Sequence, residues 1–173
     1  MMLEYVRLRR DARPPERANP SDAGLDVYWN PADGAVKMKV VQSGQSAVLE
    51  TGLKFGVPHG YMLEVKNRSS VAAKRGLLVG ACVIDSGYDG EVFINLHNVG
   101  NADQIIERYE KIAQLVLVPV VHFRAIETRQ DNLYDWYPIS MSNRGDGALG
   151  STDYDPRRNG PKKHVPILED DDG

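Results

Sequence analysis

Long apolar runs, paired cysteines and an excess of positive charge are all missing from this sequence of 173 residues. No apolar run approaches the roughly 18 residues that a membrane span needs, and the N-terminus MMLEYVRLRRDARPPERANP lacks the apolar core of a signal peptide. Cys82 is the only cysteine, which excludes an internal disulfide and favours a small buried hydrophobic residue. These absences predict a soluble, cytoplasmic protein.

Charge and histidine spacing exclude two further classes of function. With 21 basic and 24 acidic residues, the net charge of -3 gives no broad positive surface for binding nucleic acid. The four histidines lack the HxxxH or HExxH spacing of a zinc site held by protein ligands. Any metal is therefore expected to arrive with a substrate.

The pattern of apolar residues predicts an all-β domain. From Leu3 to about Phe123, short apolar or alternating runs are separated by Gly, Pro, Asn and Asp, which is typical of a sandwich or barrel. The runs are LEYVRL, GLDVYW, AVLETGLKFGV, YMLEVKN, EVFINLHNV and KIAQLVLVPVV. Only Ser70–Arg75 has helical spacing, and it is long enough for one or two turns.

A change in composition after Val121 predicts two regions. Residues 124–173 are rich in Gly, Pro, Asn and Asp and have few runs that could form a core. We therefore expect a β core at 1–123 and an extended arm at 124–173, which a neighbouring subunit or a ligand could order. The arm carries a Gly-rich segment at 144–153 and ends in an acidic tail.

The segment NRSSVAAKRG at 67–76 resembles an anion site in outline. Ser69 or Ser70 can cap the short helical turn, which leaves backbone N–H groups pointing outward. Arg68 offers a planar guanidinium that can bind two phosphate oxygens at once. A di- or triphosphate would suit this segment, although an ordinary capped turn has the same sequence pattern.

The segment GACVIDSGYDGEV at 80–92 predicts a β-hairpin with glycines at its tip. Glycines permit the close approach of a flat base, and Tyr88 could pack on a sugar. Asp85 follows an apolar stretch and could accept a proton from an attacking water. The alternative is a turn aspartate that bonds its own backbone.

Three further segments complete the pattern. RGDGALGSTD at 144–153 offers free backbone donors that could close over phosphate, and its spacing does not match a Walker loop. AGLD at 23–26 and YEKIAQLV at 109–116 are weaker, and each has a structural explanation in isolation. Taken together in chain order, AGLD, NRSSVAAKRG, GACVIDSGYDGEV, YEKIAQLV and RGDGALGSTD resemble the five motifs of the trimeric dUTPase family.

The resemblance implies a distorted jelly-roll of the β-clip type in a homotrimer, with active sites shared between subunits. It implies a dUTP diphosphatase that forms dUMP and pyrophosphate, with Asp85 as general base and Mg²⁺ bound by the substrate's triphosphate. Asp26 would meet this Mg²⁺ through a water. The implied substrate-binding residues are Arg68, Ser69, Ser70, Gly80, Cys82, Val83, Tyr88, Gln114, Arg144, Leu149, Gly150 and Ser151.

The sequence departs from the family pattern at several points. Leu149 stands where an aromatic ring usually covers uracil, and NADQIIERYEK stands where a Gly-Asp turn usually precedes the fourth motif. Two rival functions follow. A dCTP deaminase would need a glutamate base, for which Glu91 is the candidate. A dUTP-sensing regulatory protein would contact its partner through segment 101–110 or the C-terminal tail.

Overall fold

The computed structural model describes residues 2–133, within which the chain forms eleven β-strands and one short α-helix. In chain order the strands are β1 (Glu4–Arg7), β2 (Leu25–Tyr28), β3 (Met38–Val41), β4 (Ser46–Glu50), β5 (Leu53–Gly56), β6 (Tyr61–Lys66), β7 (Leu77–Val79), β8 (Val83–Ile84), β9 (Phe93–Asn98), β10 (Gln104–Glu107) and β11 (Lys111–Pro119). The helix α1 (Ser69–Arg75) lies between β6 and β7. The predicted all-β class is confirmed.

The chain divides into two units, Met1–Phe123 and Arg124–Gly173. The first unit contains all eleven strands and α1. The described part of the second unit contains one 3-10 turn, Gln130–Asn132. The Gly-rich segment 144–153, with Arg144, Leu149, Gly150 and Ser151, lies outside the described residues and stays a prediction, as does the tail.

Antiparallel pairing joins the strands into two sheets and two ribbons. The larger sheet has the order β2-β11-β6-β8 and the smaller has the order β4-β9-β7, while β1 pairs with β5 and β10 pairs with β3. Alternation along the strands places one set of side chains in a common core. Its most deeply buried members include Leu49, Leu53, Leu63, Ile94, Leu96 and Leu115.

The segment 101–110 is part of this framework rather than an additional loop. It contains β10, which pairs with β3 from Gln104↔Val41 to Glu107↔Met38. The turn that follows enters β11 with Tyr109 at a φ of 67°, a conformation that glycine adopts most readily. Ile105 is exposed on β10, and the predicted contact of a protein partner with this segment stays a prediction.

The predicted hairpin at 80–92 is wrong. β8 pairs with β6 in the larger sheet, whereas β9 pairs with β4 and β7 in the smaller one. Residues 85–92 therefore cross from one sheet to the other, and we call them the crossover loop. Alternation and turn residues indicate that two strands flank a turn, but they do not specify which partners those strands take.

No helix within residues 2–133 is both long and apolar enough to cross a membrane.

Candidate functional site

Arg68 is the N-cap of α1, with β6 ending two residues earlier at Lys66. The prediction that Ser69 or Ser70 caps the helix is wrong, because both lie inside it and no side chain bonds the cap. Both serines are exposed. Their hydroxyls and the first N–H groups of α1 therefore remain available to an anion beside the Arg68 guanidinium.

Asp26 connects the first motif to the second and fourth. Its Oδ1 accepts a hydrogen bond from Arg68 Nε at 2.9 Å, and its Oδ2 lies 3.1 Å from Lys111 Nζ. The Arg68 Nη1 also donates to the Lys111 carbonyl at 3.3 Å. The Asp26 side chain is only 14% exposed, so its charge is balanced by two cations in a partly dehydrated place.

Glu16 and Tyr28 extend this cluster outward. Burial tends to lower the pKa of Lys111, but the hydrogen bond and charge of Asp26, with Tyr28 and Glu16, raise it overall. The hydrogen bond from the Tyr28 hydroxyl lowers the pKa of Glu16, and the charge of Lys111 adds to that shift. Burial and the bond to Glu16 raise the pKa of Tyr28. Lys111 is thus a firmly protonated partner of Asp26.

Gln114 faces the same region from β11. Its Nε2 donates to the Asn67 carbonyl at 2.9 Å. A Cβ on Gly24 would lie 2.2 Å from Gln114 Oε1, so only glycine leaves room for this amide. Asn67 Oδ1 accepts a hydrogen bond from Val79 N at 2.7 Å, which joins the second motif to the start of the third.

Sequence reasoning missed the roles of Gly24, Asn67 and Lys111. A signal existed for Gly24, because AGLD places a glycine directly before a strand, and for Asn67, because it follows the last residue of β6. The role of Lys111 depends on the register between β2 and β11, in which Lys111 lies opposite Tyr28 and Gln114 opposite Asp26. Such long-range pairing has no local signal.

The segment Gly80–Val83 connects β7 to β8 with its backbone close to other strands. Gly80 N donates to the Asn95 carbonyl at 2.9 Å, and a Cβ on Gly80 would lie 2.1 Å from Asn95 Oδ1. The Cys82 carbonyl accepts from Val65 N at 2.8 Å. Cys82 is free and half-buried against the core, as the sequence predicts for a small hydrophobic residue.

Asp85 opens the crossover loop and is exposed. Its carbonyl accepts from Tyr88 N at 3.2 Å, and Gly87 has a φ of 86° in the turn between them. Within residues 2–133 its carboxylate has neither a hydrogen bond nor an ion pair. An unpaired and hydrated carboxylate is suited to accept a proton from water. Tyr88 is 47% exposed, and its hydroxyl donates to the Glu91 carbonyl at 2.9 Å.

Some of these residues line two separate cavities, whereas Asp26, Ser69, Gly80, Cys82 and Gln114 line neither of them. A cavity of about 220 Å³ contains Val83, Asp85 and Tyr88, and we call it the nucleoside half-site. A cavity of about 340 Å³ contains Arg68, Ser70 and Lys111, and we call it the phosphate half-site. Within the described residues, none that lines the first cavity also lines the second.

The phosphate half-site fits a hydrated magnesium ion better than a directly bound metal. Within residues 2–133 no group of three or more His, Cys, Asp or Glu side chains is placed to hold a metal. Both oxygens of Asp26 are already paired with cations, Arg68 and Lys111, so its carboxylate is better suited to accept a hydrogen bond from a water on Mg²⁺ than to bind the ion directly. A triphosphate would have to supply the remaining oxygens.

Comparisons of sequence with known proteins agree with each other. The sequence profile of the dUTPase family matches residues 10–152. The deoxyuridine 5'-triphosphate nucleotidohydrolase of Clostridium acetobutylicum is 37% identical over 140 residues, which cover 80% of this chain and 87% of that protein. The enzyme of the same name from Hydrogenobaculum sp. is 33% identical over 154 residues, which cover 88% of this chain and 98% of that protein.

Solved structures give the same result for the fold. The Staphylococcus bacteriophage 80alpha dUTPase with dUpNHpp has a TM-score of 0.68 and 27% identity, covering 87% of this chain and 97% of its own. A mutant dUTPase from phage phi11 of S. aureus, solved for the coordination of a structural Mg(II) ion, has a TM-score of 0.66 and 25% identity. That alignment covers 75% of this chain and 98% of the phage protein.

Proposed function

The chain belongs to the dUTPase family and is an enzyme that hydrolyses dUTP to dUMP and pyrophosphate, and from this premise we propose how its residues divide the work. The observation that carries the proposal is the separation of two half-sites. One has a carboxylate, Asp85, that is unpaired within residues 2–133 and shares a cavity with an aromatic ring, and the other has an arginine and a lysine around the Asp26 carboxylate. The first suits nucleoside and water, and the second suits a triphosphate.

Asp85 is the general base of the proposal. It takes a proton from a water that attacks the α-phosphorus in line, while pyrophosphate leaves from the opposite side and no covalent enzyme intermediate forms. Its exposed carboxylate supports this role, because no partner within residues 2–133 competes for its oxygens. Tyr88 packs against deoxyribose, and the backbone of Gly80, Cys82 and Val83 contacts uracil.

Arg68, Ser69, Ser70 and Gln114 bind the phosphate chain. Arg68 uses Nε for Asp26 and Nη1 for the Lys111 carbonyl, which fixes the plane of the guanidinium and leaves further N–H groups for phosphate oxygens. Positioning and charge neutralisation of this kind supply most of the catalysis in phosphoryl transfer. The ion pairs of Asp26 with Arg68 and Lys111 hold these two cations in position before the substrate binds.

The triphosphate would hold Mg²⁺, and Asp26 would accept a hydrogen bond from one of the waters on the ion. The ion would neutralise developing charge on the phosphate oxygens. Asp26 would then have three partners. Arg68 contacts one of its oxygens and Lys111 contacts the other, and a water on the ion would be the third. Removing magnesium with a chelator is expected to abolish turnover.

A homotrimer with shared sites explains why one chain presents two incomplete cavities. The nucleoside half-site of one subunit would meet the phosphate half-site of the next. Arg144, Leu149, Gly150 and Ser151 of a third subunit's arm would close over the substrate. Sedimentation of the purified protein tests the assembly, and a monomer with full activity would contradict it.

Product analysis tests the function itself. The purified chain is incubated with Mg²⁺ and, separately, with dUTP, dCTP, dTTP and UTP, and the phosphate products are measured. We expect pyrophosphate and dUMP from dUTP alone. Ammonia and dUTP from dCTP would instead indicate the deaminase. Against that rival, the Glu91 carboxylate is occupied by Arg9 at 3.1 and 3.2 Å and by Gly52 N at 2.7 Å.

A further inference from the structure

Glu91, in the crossover loop, forms a two-point ion pair with the N-terminal segment. Arg9 Nη2 lies 3.1 Å from Glu91 Oε1, and Arg9 Nη1 lies 3.2 Å from Oε2. Their side chains are 20% and 16% exposed. Because this ion pair is bidentate and partly shielded from solvent, it restrains the two side chains more strongly than a surface salt bridge would.

The surroundings are built to hold this pair. Gly52 N donates to Glu91 Oε1 at 2.7 Å. Gly52 has a φ of 66°, and a Cβ there would lie 2.9 Å from Arg9 Nη2, so glycine is needed for the guanidinium to lie against the backbone. Arg9 Nη2 also donates to the carbonyl of buried Asn30. The carboxylate of Glu91 is therefore fixed from two directions.

The backbone of Glu91 in turn fixes the ring of Tyr88. The Tyr88 hydroxyl donates to the Glu91 carbonyl at 2.9 Å. A Cβ on Gly90 would lie 2.5 Å from the Tyr88 oxygen and 2.6 Å from Cζ, so the ring lies directly on the Gly90 backbone. The position of the ring consequently depends on where the Glu91 backbone stands.

We propose that Arg9 and Glu91 are positioning residues that set the preference for dUTP over UTP by fixing the ring of Tyr88. This inference rests on the proposed contact of Tyr88 with deoxyribose. A ring rejects a 2′-hydroxyl by leaving no space for it, and that rejection requires the ring to be held within a fraction of an ångström. Freeing the Glu91 backbone would let the ring move and admit the hydroxyl.

The main test substitutes Arg9→Met in the full-length chain and measures kcat/KM for dUTP and for UTP. We expect the ratio of dUTP to UTP to fall about tenfold, at the lower end of what a single substrate group contributes to selectivity. A purely structural role for Arg9 would lower both values by the same factor. An unchanged ratio in a folded variant would overturn the proposal.

Asp89→Asn is the matched control. Asp89 lies in the same crossover loop and forms an ion pair with Lys54, but it is 83% exposed and Tyr88 is not its partner. Loss of this pair is expected to leave the ratio unchanged. A fall equal to that of Arg9→Met would show that any loosening of the loop has the effect, and the assignment to Arg9 and Glu91 would fail.

A double-mutant cycle identifies the route through the ring. Tyr88→Phe removes the hydroxyl that contacts Glu91, so adding Arg9→Met to it should change the ratio no further. Additive effects would overturn the route. If Arg9→Met does not fold, Glu91→Gln, which keeps the side-chain shape, carries the same two comparisons. Failure of the wild-type chain to hydrolyse dUTP would instead contradict the proposed function, independently of these ratios.

Discussion

The two half-sites of this chain are constructed differently. In the phosphate half-site, the Asp26 carboxylate holds two cations, Arg68 and Lys111, at distances near 3 Å before any substrate is bound. In the nucleoside half-site, Asp85 is exposed and unpaired within residues 2–133, and what is fixed is the backbone around it. The difference agrees with the roles that we propose, because a triphosphate needs preplaced charge, whereas a general base needs a free carboxylate.

The comparison also predicts which half tolerates change. Removing one partner of a partly buried ion pair leaves the other charge uncompensated, which lowers the stability of the fold. Substitutions in the phosphate half-site should therefore affect both stability and activity. An exposed carboxylate contributes little to folding, so its substitution should affect activity alone. Measuring both activity and melting temperature on the same variants tests this difference between the two half-sites.

Asp85→Asn is expected to have the largest effect on turnover. Loss of a general base should lower kcat by about 10²-fold or more, while the affinity for dUTP and the melting temperature stay close to those of the wild type. Equilibrium binding of a non-hydrolysable dUTP analogue measures the affinity, and steady-state kinetics measure kcat. Asp89→Asn, an exposed aspartate in the same loop, serves as the control and should retain turnover. Near-normal turnover in Asp85→Asn would contradict the assignment of the base.

Arg68→Lys should rank second and should affect the other half-site. The lysine keeps the charge but loses the planar guanidinium that contacts Asp26 and the Lys111 carbonyl together. We expect kcat/KM to fall by about 10- to 10²-fold, with a lower melting temperature, because charge-assisted contacts contribute ~1.5–3 kcal/mol each. Arg10→Lys, the same change at an exposed arginine that lines neither cavity, is the control. A drop in activity without any loss of stability would show that Asp26 does not depend on Arg68.

Local sequence indicated individual side chains of both half-sites, such as Arg68 and Asp85, but not the long-range contacts around them. NRSS gave Arg68 at the end of a strand, and the structure places it there, at the start of α1. The crossover loop was misassigned as a hairpin, because a strand-turn-strand pattern is the same whether the chain stays in one sheet or changes sheets. The pairing of Arg9 with Glu91 joins residues 82 positions apart, and no local pattern indicates it.

Gly24→Ala tests whether Gln114 contributes to the phosphate half-site. A Cβ at this position would lie 2.2 Å from Gln114 Oε1, so the amide must move and lose its bond to the Asn67 carbonyl. Overpacking of this kind costs about 1–3 kcal/mol, and we expect a lower free energy of unfolding together with a raised KM for dUTP. Gly34→Ala is the control, because nothing lies within 4 Å of a Cβ there. Equal behaviour of the two variants would exclude this role of Gly24.

Glu16 should show the smallest effect, and it depends on pH. The hydrogen bond from Tyr28, then the charge of Lys111, hold its pKa below the ordinary value of 4.5 in the folded chain. A carboxylate with a lowered pKa adds stability that is fully present above the unfolded value and is lost as the pH falls through the folded value. The melting temperature of Glu16→Gln should therefore lie below that of the wild type at neutral pH, and the gap should shrink as the pH falls below 4.5 and close below the lower pKa of the folded chain. Glu4→Gln, an exposed change on β1, gives the baseline. A difference in melting temperature that persists in acid would mean that Glu16 contributes through packing rather than charge. The outer part of the phosphate half-site would then resemble the nucleoside half-site, where the backbone position is fixed rather than the charge.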